Sequence, residues 1–175
     1  GTNSLSRDLI SRISNIQSHR GPDENEVYLE PGLALGHRRL SVIDLATGTQ
    51  PLFSADGSIG IVFNGEIYNF KVLRTALEKA GKEFRTHSDT EVLLEGYRFW
   101  GKELFPKLVG MFAFAIWDKR TETLVLCRDR LGVKPLYWTK QPSAFVFGST
   151  LDSILAHPLV DRNLNARQFS NFLTL

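Results

Sequence analysis

A single cysteine among 175 residues excludes an internal disulfide and fits a reducing, cytosolic setting. No apolar run approaches the roughly 20 residues that span a bilayer. The opening Gly1-Thr2-Asn3-Ser4 lacks the charged and apolar regions of a signal peptide, so the chain predicts a cytoplasmic protein without a membrane role. Net charge is only +2, and the clusters His37-Arg38-Arg39 and Arg128-Asp129-Arg130 are short; no basic stripe points to nucleic acid. His19, His37, His87 and His157 show no zinc-like spacing, and neither GxGxxG nor a GxxxxGK phosphate loop occurs. No internal repeat or low-complexity segment is present.

What remains is an ordinary globular composition, 42% hydrophobic and 23% charged, with length for one domain and a substantial core. Both ends read as cut from something longer, because the chain starts without Met and stops abruptly at Phe172-Leu173-Thr174-Leu175.

Apolar spacing predicts a helix over Ser6–Gln17. Short strands follow at Glu26–Leu29, Leu33–His37 and Leu40–Asp44, with a loop through Pro51 and a turn at Ala55-Asp56-Gly57. A strand over Ile59–Phe63 leads into Asn64-Gly65-Glu66. Asn69 is predicted to cap a helix running to Lys79, and Ser88-Asp89-Thr90-Glu91 has the capping-box pattern for the next, over Val92–Trp100. Two hairpins are predicted, Met111–Trp117 with Thr123–Cys127 and Leu136–Thr139 with Ala144–Phe147. A last helix follows over Ser149–His157. Hairpin-connected strands between clustered helices indicate α+β with antiparallel sheets.

The most informative stretch is Phe63-Asn64-Gly65-Glu66-Ile67-Tyr68-Asn69. It offers a side-chain amide, a backbone N–H without a Cβ and a carboxylate within three residues, parts for holding a polarised carbonyl and an amine. From spacing alone the stronger reading is a hairpin turn, since Asn-Gly between apolar runs is the leading short hairpin signal. Arg39 is either an outward strand position or a planar fork for a carboxylate. Asp89 is a helix-cap acid on its own merits. Cys127, in an alternating strand far from any His, reads as a half-buried core thiol.

Six segments, taken in order, resemble one family: His19-Arg20-Gly21-Pro22-Asp23-Glu24, Gly36 through Asp44, Phe63 through Asn69, Ser88 through Glu91, Gly110 through Ala115, and Arg128 through Tyr137. They look like the class II glutamine amidotransferase domain of glutamine-dependent asparagine synthetases, and the likeness extends from about Ser6 to Leu175. The resemblance implies a four-layer αββα sandwich of two antiparallel sheets, the N-terminal nucleophile hydrolase architecture. It also implies attack on the glutamine side-chain amide by an N-terminal cysteine whose own α-amino group, with an unperturbed pKa of about 7.7–8.0, is the general base. The glutamyl thioester releases ammonia and is hydrolysed.

By the same resemblance, Asn64 and the Gly65 N–H form the oxyanion hole, with Gly65 required for close backbone approach to substrate. Arg39 pairs with the glutamine α-carboxylate, Glu66 and Asp89 accept its α-ammonium, and Leu40, Ser41, Val42 and Ile43 line the pocket. No cofactor or metal is implied in this domain; ATP and Mg belong to a separate synthetase domain that amidates aspartate. The implied partners are L-glutamine and that domain, and a homodimer is compatible.

The family begins with Cys-Gly-Ile, which nothing before Ser6 resembles, so the 175 residues alone are expected not to hydrolyse glutamine. Two other readings stay open. One is a non-catalytic ligand-binding or assembly module; the other is an amidotransferase of the same branch with a different acceptor.

Overall fold

The first helix shows how local chemistry starts the fold. Ser6 takes an extended conformation and its hydroxyl accepts the Leu9 N–H at 3.1 Å, capping α1 (Arg7–Ile16). The computed structural model that contains this helix describes residues 6–21, 24–39 and 49–163. The predicted strand Leu40–Asp44 and the chain's two ends lie outside them.

β1 (Glu24–Glu30) and β2 (Leu33–Arg39) form a hairpin. β3 (Leu52–Phe53), β4 (Ile59–Ile67), β5 (Gly110–Asp118) and β6 (Thr123–Arg128) form a four-stranded antiparallel sheet in that order. β7 (Tyr137–Gln141) and β8 (Ala144–Gly148) make a second hairpin. Alternation along the strands sends successive side chains to opposite faces. Ile59, Ile61, Phe63 and Ile67 of β4, with Phe112, Phe114 and Ile116 of β5, pack on α2 (Phe70–Lys79) and α3 (Asp89–Trp100) through Leu73, Leu77, Val92, Leu93 and Leu94. Val62 and Ala115 face the other way, onto Leu33 and Leu35 of β2 and towards Phe147 of β8. Behind the hairpins, α1 packs on β1 and β2, α4 (Leu151–Leu155) packs on β7 and β8, and the two helices touch. The layers therefore run helix, sheet, sheet, helix. Among the described residues the second sheet layer consists of two separate hairpins. Fully burying each large aliphatic side chain of this core contributes about 1.5–3 kcal/mol.

Several local predictions are corrected. Asn64-Gly65 is not a hairpin turn: β4 runs through it to Ile67, and β5 matches it residue for residue down to Gly110. The loop through Pro51 ends in the short strand β3. Asn69 occupies the N-cap position of α2 without a side-chain capping bond; its amide bridges the Lys107 carbonyl and the Val109 N–H instead. A 3-10 helix, absent from the sequence expectations, spans Gly101–Lys107, where the apolar residues carry no clear period.

At α3 the capping box is half made. The Ser88 hydroxyl accepts the Glu91 N–H at 3.2 Å, but the Glu91 carboxylate, 1% exposed, turns to the Arg85 N–H, the Thr86 N–H and the Thr86 hydroxyl. Burial pushes that carboxyl up, and these bonds outweigh burial and hold it below its ordinary value.

The segment Arg128 to Lys134 closes on itself around Asp129. The Asp129 carboxylate accepts N–H groups from Val133 at 2.8 Å, Lys134 at 2.9 Å and Phe112 at 3.2 Å. The Arg128 guanidinium donates to the Gly132 and Lys134 carbonyls, and Arg130 donates to those of Pro106 and Leu108. The Lys134 N–H foremost holds the Asp129 carboxyl below its ordinary value of 3.8. A carboxylate depressed in the fold stabilises above the unfolded value, and that contribution is lost as pH falls through the folded one. Asp129→Asn is therefore expected to lower Tm at pH 7, with the deficit shrinking as pH falls below 3.8. Equal thermal melts at pH 7 would refute this role.

Candidate active site

Residues of β4 divide by parity. The Ser58 carbonyl accepts the Lys119 N–H and the Tyr68 N–H donates to the Val109 carbonyl, so even-numbered residues bond towards β5. Odd-numbered residues present N–H and C=O to the opposite edge, where β3 reaches only Gly60 and Ile61. Further along, side chains take the place of a strand. The Phe63 N–H donates to Gln50 Oε1 at 2.6 Å, and His37 Nε2 donates to the Phe63 carbonyl at 3.1 Å. The Ile67 N–H donates to Asp89 Oδ2 at 3.0 Å.

Between these two clamps stands Gly65. It lies opposite Phe112, whose N–H and C=O both go to Asp129, so β5 offers Gly65 no bond. Its N–H faces the open edge of β4, and among the described residues none accepts it.

Gly65 has φ +147°, and a Cβ there would press on the Met111 carbonyl oxygen and stand 2.7 Å from Phe112 Cα. The need for glycine thus comes first from the neighbouring strand, a nearer cause than the substrate approach that the resemblance implies. Gly110, opposite Ile67, is confined in the same way by the Glu66 carbonyl.

On the even-numbered face, Asn64 and Glu66 line a cavity of about 1770 Å³ between the two sheet layers, together with Gln50, Gly65 and Asp89. The Asn64 amide has no hydrogen-bond partner among the described residues. Asp89 opens α3, next to the cap Ser88. Burial foremost pushes the Asp89 carboxyl above its ordinary value, and the nearby Glu66 carboxylate adds to that; the Ile67 N–H pulls against both. Two carboxylates close together at the mouth of the cavity favour a bound cation.

Asn64, Gly65, Glu66 and Asp89 are thus brought together. Arg39 ends β2 opposite Glu24; its side chain, and all of Leu40, Ser41, Val42 and Ile43, lie outside the described residues. Cys127 is half-buried on β6 and packs on the helix-side core, across the sheet from Asn64 and Glu66. Burial pushes its thiol up, in keeping with a core thiol. His19 bonds the Ile16 carbonyl at 3.1 Å, as a loop histidine does. No group of potential metal ligands assembles among the described residues, and no helix there is long and apolar enough to cross a membrane.

Gln50 and His37 were not singled out in the sequence. Their signal is tertiary, since each meets Phe63 across a long loop or from another sheet.

Known proteins are similar to this chain. The chain is 40% identical over 172 residues to asparagine synthetase [glutamine-hydrolyzing] 3 of Bacillus subtilis (strain 168), covering 97% of this chain and 28% of that protein. Against asparagine synthetase [glutamine-hydrolyzing] 1 of the same organism it is 45% identical over 148 residues, covering 85% and 23%. It therefore spans under a third of the length of these curated relatives. Among solved structures, glutamine phosphoribosylpyrophosphate amidotransferase from B. subtilis superposes with a TM-score of 0.57 at 30% identity, over 70% of this chain and 29% of that one. The shared architecture is the N-terminal nucleophile hydrolase fold, in agreement with the four layers described above. With the family of the glutamine amidotransferase domain matching residues 1–175, the chain belongs to that family.

Proposed function

We propose that this domain hydrolyses glutamine and supplies ammonia to an asparagine-forming synthetase domain of the same cytoplasmic protein, where ATP and Mg activate aspartate. The observation that carries this reading is the Gly65 N–H on the outer edge of β4, which no described residue accepts, beside the Asn64 amide, which has no hydrogen-bond partner among the described residues. Two preorganised donors at one point suit the oxygen of a tetrahedral intermediate. Glu66 and Asp89 supply the negative field for the substrate α-ammonium, and Arg39 supplies the fork for its α-carboxylate, with Leu40 to Ile43 along the pocket wall.

The attacking thiol in this reading belongs to a cysteine outside the 175 residues, because Cys127 faces the opposite side of the sheet. The thiol adds to the amide carbon, the oxyanion meets Asn64 and Gly65, ammonia departs, and water cleaves the thioester. The decisive experiment is a glutaminase assay on the full-length gene product, with and without ATP and aspartate. Glutamate release is expected, with asparagine formed when both co-substrates are present. Glutamine binding without turnover would favour a ligand-binding module instead.

Arg39→Ala is expected to raise KM for glutamine by about 10–100-fold and to leave kcat nearly unchanged, as loss of uniform binding does. A matching fall in kcat with parental KM would reassign Arg39.

A further inference from the structure

We infer that Gln50 is a positioning residue for the oxyanion hole, a role that rests on the glutaminase reading above. The register of β3 with β4 pairs Leu52 with Ile61 and Phe53 with Gly60, and continuing it sets Gln50 opposite Phe63. A main-chain rung does not form there. β3 begins only at Leu52, two residues beyond the position opposite Phe63. The Gln50 side chain fills the missing rung, its Oε1 accepting the Phe63 N–H at 2.6 Å. The amide orientation follows from chemistry: the Phe63 N–H is a donor, so the atom facing it is the oxygen. Gln50 is 8% exposed and lines the cavity beside Asn64 and Gly65.

The same device recurs on the far side of Gly65, where Asp89 Oδ2 accepts the Ile67 N–H at 3.0 Å. Two side-chain acceptors thus serve the rungs before and after Gly65, and among the described residues none takes the Gly65 rung between them. A glycine at φ +147° on an unpaired edge has more conformational freedom than any other residue type there. Pinning both flanking odd-numbered rungs fixes the direction of its N–H before substrate arrives, and preorganisation of this kind gives an oxyanion donor its effect.

The test uses the full-length enzyme. Gln50→Met keeps the side chain's length and removes the acceptor. It is expected to lower kcat for glutamine hydrolysis by about 10–100-fold, as small misplacements of catalytic groups do, while KM stays within about twofold. Hydrogen exchange of peptides containing Phe63 to Glu66 should quicken in Gln50→Met and slow again in Gln50→Glu, which restores an acceptor at the same reach. A parental kcat in Gln50→Met, a KM change as large as the kcat change, or unaltered exchange would each overturn the positioning role. If the parent enzyme itself releases no glutamate, the glutaminase reading fails first and the positioning role falls with it, a result separate from a normal parent with an indifferent variant.

Discussion

Asn64→Ala in the full-length enzyme is expected to lower kcat for glutamine hydrolysis by about 10²–10³, with KM within about twofold. The asymmetry follows from geometry. Asn64 sits on the cavity face of β4, with its amide unpaired among the described residues and Gly65 adjacent in sequence. In the ground state its partner would be a neutral amide oxygen, for which water is an adequate substitute. In the transition state that oxygen carries negative charge, and a preorganised dipole stabilises it without the reorganisation that water would need. Steady-state kinetics decide the matter: parental kcat in Asn64→Ala would remove Asn64 from the oxyanion hole.

The second large effect is expected at Asp89. Asp89→Asn retains an oxygen for the Ile67 N–H but removes the charge facing the substrate ammonium, and KM should rise about 10–100-fold with little change in kcat. The variant also has a pH signature. Burial first, then Glu66, pushes the Asp89 carboxyl above its ordinary value of 3.8. As pH falls through the raised value the parent carboxyl takes up a proton and ceases to attract an ammonium, so its KM climbs on the acid side. Asp89→Asn cannot titrate there, and its KM should be flat over the same range. Parallel profiles for parent and variant would show that another group controls the acid limb. The folded protein carries the opposite preference. A carboxyl whose value is raised by burial contributes stability below the unfolded value and loses it as pH rises through the raised one. In the absence of ligand, Asp89→Asn should therefore not melt earlier than the parent at neutral pH on electrostatic grounds.

Local chemistry explains which elements were legible. Ser6 and Thr150 have short hydroxyl side chains that reach the N–H three residues on, and they cap the first and last of the predicted helices. The β5–β6 and β7–β8 hairpins follow apolar alternation around short polar turns. Asn64-Gly65 misled because its turn preference is local, whereas β5 supplies nine consecutive pairings along β4, and non-local pairing with a buried face overrides propensity. Glu91 misled in a similar way. The unfilled Arg85 and Thr86 N–H groups in the preceding loop lie within its reach, and they compete successfully with the reciprocal cap bond.

The amino-acid sequence by itself determined the α+β class, the family resemblance and the choice of Asn64, Gly65, Glu66 and Asp89, which meet in the cavity. Those properties depend on residue types, order and short-range spacing. Only the tertiary structure decided that no described residue accepts the Gly65 N–H, that glycine is demanded there by Met111 and Phe112, and that Gln50 and Asp89 accept the flanking N–H groups on either side. It also set Cys127 across the sheet from the pocket. Each of these depends on strand register and on which face a side chain takes, and a one-residue slip reverses every such assignment.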